Sequence, residues 1–341
     1  MTKTTSLHRV LVIGGGSIGE RHIRCFLATG RANVSLCETN VPRLNEIAER
    51  YNLDAIFPDV NSALEGDAEL AVIATPAHLH VSQAIKLGDS GRHLLIEKPL
   101  GLSFESISDL KETIERKKLV AAVGFVYRCH PALQAMRDRL IDGEWGRPLQ
   151  MVTVAGQNFP TYRPCFEKTY FRDRATGGGA IQDALPHLVD VGNWLIGQVS
   201  SLVADSAHLA LPYVDVEDTV HVLARHESIL ASYSLNQHQF ANELTISVIC
   251  EKGMFRFEAH KSDWRWMNQI DGHWNEEPLE LTGRDDMYVR QANAFLNSVE
   301  LRELPTCSLD DGIFALACSK AIYASVLEQK WKRPSLYCNN I

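Results

Sequence analysis

The sequence predicts an α/β protein. Its N-terminal part reads as a doubly wound parallel sheet of the Rossmann type. The C-terminal part reads as an α+β domain with an open-faced, mostly antiparallel sheet. Three observations predict this. From Val10 to about Gly124, short apolar runs alternate with amphipathic helical stretches. After about Pro148 the pattern changes to period-two alternation. The stretch "VLVIGGGSIGERH" (10–22) places four glycines where the first strand hands over to the first helix. At 341 residues two domains are expected, and the change of pattern divides them into 1–126 and 127–341.

The apolar runs of the first part are "VLVI" (10–13), "VSLC" (34–37), "LAVIAT" (70–75), "HLLIE" (93–97) and "VAAVGF" (120–125). Between them, "IGERHIRCFLATG", "VPRLNEIAERYN", "HVSQAIKLG" and "SFESISDLKETIERKK" carry apolar residues three and four apart. Continuously apolar strands separated by such helices imply a parallel sheet covered on both faces. In the second part, "QMVTVAGQ" (150–157), "TVHVLAR" (219–225), "ASYSLNQ" (231–237), "LTISVIC" (244–250) and "MFRFE" (254–258) alternate with period two. Such strands have one face on helices and the other partly open. With Trp264, Trp266 and Trp274 nearby, the open face is a candidate subunit interface. The chain returns to helix in "SLDDGIFALACSKAIYASVLEQ", where Ser308 and Asp311 have capping-box spacing. The late helices are expected to return towards the first domain.

Composition narrows the partners. A formal net charge of −8 disfavours nucleic acid, which calls for a basic face. Val10–Ile13 is too short for a signal-peptide core, and no stretch approaches a membrane span. The eight cysteines are scattered with no C-x-x-C pair, which predicts reduced thiols and a cytoplasmic protein. His78-x-His80 lacks a partnering Cys or carboxylate at ligand spacing, so no metal is expected. His80 reads instead as a helix-start histidine near a cofactor.

Gly14, Gly16 and Gly19 fit G-x-G-x-x-G directly after a strand and opening a helix. The first glycine permits the turn, the second lets backbone approach a pyrophosphate, and the third lets helix pack on strand. Free N–H groups at the helix start, around Ser17, Ile18 and Gly19, receive the negative charge. The second strand ends at Glu38, 19 residues past Gly19. A carboxylate there accepts hydrogen bonds from ribose hydroxyls and repels a 2′-phosphate, so NAD is expected over NADP. Arg21 reads as a solvated helix residue or a neighbour of the phosphates.

Ligands of doubly wound sheets lie at the carboxyl ends of the strands. Two later strands end there in Thr75-Pro76 and in Glu97-Lys98-Pro99. All of these are candidate cofactor contacts. A lysine at that rim can also hold the oxygen of a reacting alcohol or carbonyl. In the second part, "ATGGGAIQDALPHLVDVGNWLIG" (175–197) spaces Asp183 and His187 four apart. Histidine suits proton transfer to or from a hydroxyl, and a carboxylate can orient it or the substrate. Pro186 fits only the first turn of a helix, so either Asp183 lies near an N-cap or the helix is kinked. Gly177–Gly179 would clear room for close backbone approach. Asp190 continues the same face, as a supporting or solvated residue.

Seven stretches occur together and in order: "GGGSIGERH", "TPAHLH", "EKPLGLS", "GFVYRCHP", "GGGAIQDALPHLVD", "DVEDT" and "SLDDGIFALACSKAIYAS". By these the chain resembles the Gfo/Idh/MocA oxidoreductases over nearly its whole length. The resemblance implies a Rossmann domain followed by an open-faced sheet used in dimers or tetramers. It also implies hydride transfer between NAD(P) and a carbon of a sugar, sugar derivative or cyclitol. By motif, Lys98 would bind the reacting oxygen and Asp183 and His187 would handle its proton. The Lys98–Pro99 bond would be cis, as it often is in relatives. Arg128 matches a position near substrate in inositol-dehydrogenase-like members, although "YRCHP" departs from the commoner Arg-Phe pattern.

Two other functions use nearly the same residues. Some relatives cleave glycosides by transient oxidation, elimination and re-reduction on a retained NAD, which turns over no free NAD. Others are non-catalytic dinucleotide or sugar sensors, a reading opposed by the presence of Lys98, Asp183 and His187.

Overall fold

The computed structural model describes residues 7–277, 283–301 and 303–335. The chain divides into two units. The first comprises the chain up to Cys129 plus a later segment ending at Gly312; the second starts at His130 and resumes at Ile313.

The first unit alternates strand and helix: β1 (His8–Ile13), α1 (Ser17–Ala28), β2 (Ala32–Cys37), α2 (Val41–Arg50), β3 (Ile56–Phe57), α3 (Val60–Leu64), β4 (Leu70–Ile73), α4 (His80–Asp89), β5 (His93–Ile96), α5 (Ile107–Lys117) and β6 (Ala121–Val123). The six strands are parallel in the order β3-β2-β1-β4-β5-β6. The order reverses between β1 and β4, which is where this architecture opens a crevice. Only β3 and α3 lie outside the apolar runs read from sequence; at two and five residues they show no periodicity. Val10, Val12, Val34, Leu36, Val72 and Leu95 fill the core against Ile23 and Phe26 of α1. A late helix, Asp286–Leu301, adds Ala292, Phe295 and Leu296 to the same core.

The second unit contains α6 (Pro131–Ile141), β7 (Pro148–Asn158), α7 (Phe159–Tyr162), α8 (Ala180–Asp183) and α9 (Leu185–Ile196). The strands β8 (Ser201–Ala207), β9 (Thr219–His226), β10 (Ile229–Asn236), β11 (His238–Cys250), β12 (Gly253–Glu258), β13 (Asp263–Met267) and β14 (Asn275–Glu276) follow. They form an eight-stranded sheet in the order β14-β13-β12-β11-β7-β10-β9-β8. All pairings are antiparallel except β7 with β10. Period-two alternation decides its faces. Val220, Val222, Tyr233, Leu235, Ile246 and Phe255 are buried, while Leu223 and Leu230 on the other face are 56% and 49% exposed.

The tryptophans do not all follow the expected placement. Trp264 is buried and pairs across strands with Phe257, as Trp266 does with Phe255, so both lie on the buried face. Arg139 of α6 stacks on them, 3.7 Å from the Trp266 ring centroid. Trp274 instead meets Arg256 and Arg265, whose side chains alternate to the opposite face. The last helix, Leu309–Glu328, starts with the expected capping box. Ser308 Oγ accepts the Asp311 N–H (3.1 Å), and Asp311 Oδ2 accepts the Ser308 N–H (2.8 Å).

Candidate active site

The glycine loop follows β1 without a break. Gly14 has φ +97°, and a Cβ on it would sit 2.8 Å from the Ala74 carbonyl oxygen at the end of β4. A Cβ on Gly19 would overlap the Gly14 carbonyl, so α1 can cross its strand only with glycine there. Gly16 differs. Its φ is −67°, and a Cβ would find nothing within 4 Å. Neither conformation nor packing within the protein requires glycine at this position; the missing side chain leaves the start of α1 open to an approaching phosphate. Gly16 and Ser17 are exposed, and Ile18 is half-buried beside them.

Glu38, directly after β2, is fixed against this loop. Its Oε2 accepts the Gly15 N–H (2.6 Å), and its Oε1 accepts the Asn40 N–H (2.7 Å). Oε1 also accepts the Thr39 hydroxyl (3.4 Å), while Oε2 keeps a second lone pair that can accept a ribose hydroxyl. Arg43 donates to the Gly15 carbonyl (2.9 Å), while its other nitrogens meet Glu20 and Glu46. The hydrogen bonds it donates to Glu46 and Glu20 raise its pKa despite burial, so its charge is already matched within the protein. These residues fit NAD. Arg43 did not stand out in the sequence, because its partners lie on two helices and a loop.

At the ends of β4 and β5, two predicted contacts turn inward. His80 is buried, with Nδ1 2.8 Å from the Pro99 carbonyl and Nε2 2.8 Å from the Thr75 carbonyl. Burial lowers its pKa more than these bonds raise it, so the neutral ring donates to one carbonyl at a time. Glu97 is only 4% exposed; its Oε1 lies 2.7 Å from His22 Nε2, and its Oε2 accepts the Lys98 N–H (3.0 Å). His80 and Glu97 therefore brace the rim from beneath. Thr75 and Lys98 are half-buried and Pro76 exposed at that rim, and the Lys98–Pro99 peptide is cis. Thr75 Oγ1 donates to Gln83 (2.7 Å). His22 is a supporting residue that the sequence reading passed over. Its signal was a histidine on the buried stripe of α1, between Gly19 and Phe26.

Two arginines are paired within the protein. Arg21 is not solvated; it pairs with Asp285 (3.2 Å) and lies over the Tyr288 ring. Arg128 is 4% exposed, donates to the Thr306 carbonyl and pairs with Asp311, each at 3.1 Å. Its charge is thus matched at the cap of the last helix.

In the second unit, Asp183 and His187 do not share one helix. The helical path breaks at Ala184: Asp183 closes the four-residue α8, while Pro186 and His187 sit in the first turn of α9. Pro186 selects this break, since it fits only a first turn. The His187 N–H bonds the Ala184 carbonyl (3.2 Å), and Asp190 is buried one turn further on. Asp183 Oδ1 accepts the Tyr170 hydroxyl (2.9 Å). The glycines ahead of α8 allow close approach of the chain's own groups. A Cβ on Gly178 would overlap the Phe171 carbonyl, and one on Gly179 would meet the Glu217 carboxylate. Glu217 also accepts the Ile181 N–H (3.1 Å), the Tyr323 hydroxyl (3.0 Å) and Arg174 (2.8 Å).

A doubly wound sheet with a phosphate-ready glycine loop and an acid fixed at the end of β2 defines a dinucleotide-dependent oxidoreductase. The chain matches the family described as "Oxidoreductase family, NAD-binding Rossmann fold" over residues 8–125, and the "GFO/IDH/MocA C-terminal domain" over 133–256. It belongs to the Gfo/Idh/MocA oxidoreductase family, whose N-terminal domain is an NAD-binding Rossmann fold. It is 27% identical to a levoglucosan dehydrogenase of Pseudarthrobacter phenanthrenivorans over 57% of this chain and 52% of that protein, about half its length. It is 25% identical to an inositol 2-dehydrogenase of Rhizobium meliloti over 94% of this chain and 97% of that one. The solved structure of a levoglucosan dehydrogenase in complex with NADH shares the fold, with a TM-score of 0.89 at 22% identity over 97% of this chain and 100% of that chain. Among the described residues, no helix is long and apolar enough to cross a membrane, and no His, Cys, Asp and Glu cluster could hold a metal ion.

Proposed function

We propose that the protein interconverts a secondary alcohol and a ketone on a sugar, sugar derivative or cyclitol. NAD supplies the hydride acceptor or donor. Lys98 donates to the reacting oxygen and stabilises the negative charge that develops on it. His187 takes the hydroxyl proton during oxidation and returns it during reduction, with Asp183 orienting the ring or the substrate. The observation that carries this reading is Lys98 at the carboxyl rim of the sheet that also holds the Gly14–Gly19 loop and Glu38. The nearly end-to-end match to an inositol 2-dehydrogenase supports a polyol substrate.

The bare face of the eight-stranded sheet, with Leu223 and Leu230 exposed, supports a homodimer or homotetramer built on that face. The cytoplasm suits the seven described cysteines, all of them free thiols. The test is NADH formation, followed by absorbance, from NAD with inositols, levoglucosan and linear polyols, and NADH consumption with keto-sugars. A protein that binds NAD but turns over none of these would overturn the substrate class.

A further inference from the structure

We infer that Tyr170 is a positioning residue of the reaction, holding the Asp183 carboxylate through its hydroxyl. This rests on the assignment of Asp183 proposed above.

Asp183 sits at a break in the helical path: it closes the single turn of α8, and α9 starts at Leu185. Asp183 is only 9% exposed, and Tyr170 Oη donates to Oδ1 at 2.9 Å. A hydroxyl donated to one carboxylate oxygen fixes the orientation of the group, which suits a residue that handles or orients a proton.

The turn that carries Tyr170 is itself firmly built. Phe171 is buried in a cluster with Phe159 and Phe166, at centroid distances of 4.4 and 6.0 Å. Thr176 Oγ1 donates to the Tyr170 carbonyl (2.7 Å), and the Gly178 N–H bonds the Asp173 carbonyl (2.8 Å). The Phe171 carbonyl occupies the space that a side chain on Gly178 would need, so this turn lies directly on the segment leading into α8. Yet Tyr170 itself is 45% exposed. A residue kept for packing would bury its ring; here the hydroxyl is engaged while much of the residue faces solvent. That arrangement suits work at a site better than work in a core.

The test compares wild type, Tyr170→Phe, Asp183→Asn and the double variant, assayed for NADH formation with whichever of myo-inositol, scyllo-inositol and levoglucosan the wild type oxidises. A crystal structure of Tyr170→Phe is determined alongside. Because the ring and its packing remain, melting temperature and NAD affinity should not change. We expect kcat to fall roughly ten- to a hundredfold, as for a misplaced reacting group, with KM changing less than threefold. The Tyr170→Phe effect should vanish in the Asp183→Asn background. In the crystal, the Asp183 carboxylate should leave its wild-type position. A fully active Tyr170→Phe beside an impaired Asp183→Asn, equal Tyr170→Phe losses in both backgrounds, or an unmoved carboxylate overturns the role of Tyr170. A fully active Asp183→Asn instead overturns the assignment of Asp183, and the two failures are thereby told apart.

Discussion

His22 Nε2 of α1 lies 2.7 Å from Glu97 Oε1, and both side chains are buried. The pair joins the helix that follows the glycine loop to the residue before Lys98. Burial pushes the Glu97 carboxyl up, but the hydrogen bond from His22 and the charges of His22 and Lys98 outweigh it and hold the group below the usual glutamate range. A carboxyl lowered by folding contributes stability that is present above its unfolded pKa and lost as pH falls through the folded value. Glu97→Gln keeps the shape and removes the charge. It should cost about 1.5–3 kcal/mol at neutral pH, the worth of hydrogen bonds to a charged group. The deficit against wild type should be smaller at acid pH than at neutral pH, because the advantage of the ionised group is lost as pH falls through the folded value. Urea unfolding at the two pH values checks this, and a pH-independent deficit would contradict it.

Glu38 should set the choice of cofactor. Wild type should bind NAD(H) over NADP(H), and Glu38→Ala should weaken NAD(H) roughly tenfold, as expected for hydrogen bonds to a carboxylate, and so narrow the gap. Arg43, already matched by Glu20 and Glu46, should not make the variant strongly prefer NADP(H). Fluorescence titration with both cofactors decides it; tighter NADP(H) binding by the wild type would refute the role of Glu38.

Lys98 and His187 should affect turnover rather than folding. Lys98→Met should lose about a hundred- to a thousandfold in kcat, as when a donor to a developing oxyanion is removed. His187→Ala should lose roughly 10²- to 10⁴-fold, as for other general acids and bases. The double variant should be little worse than the poorer single one, because the groups act together. Melting temperature, NAD affinity and turnover are measured together. If these residues are merely structural, melting temperature falls and the folded fraction stays active.

The bare sheet face should join subunits. Light scattering should show a dimer or tetramer, and Leu223→Glu with Leu230→Glu should shift it towards monomer without lowering the melting temperature of the protomer. Both side chains are already about half exposed, so charge there costs the isolated fold little. A wild-type monomer at working concentration would refute this assembly.

Much of this molecule was legible in its sequence. Apolar runs such as "LAVIAT" and "HLLIE" marked buried parallel strands, and period two marked the second sheet, because side-chain periodicity is a local property of the chain. Gly14, Gly16, Gly19 and Glu38 were legible for the same reason: their spacing follows from one strand, one turn and one helix. Periodicity says which face of an element is covered, but not what covers it. Only the tertiary structure decided that Arg128 pairs with Asp311 at the start of the last helix, that Trp264 and Trp266 lie beneath Arg139, and that His22 meets Glu97. It likewise decided that the helical path breaks between Asp183 and His187 and that Tyr170 reaches the former. These partners lie on separate elements, and a buried charge or hydroxyl takes whichever group the fold brings within hydrogen-bond reach, a choice that no local pattern records.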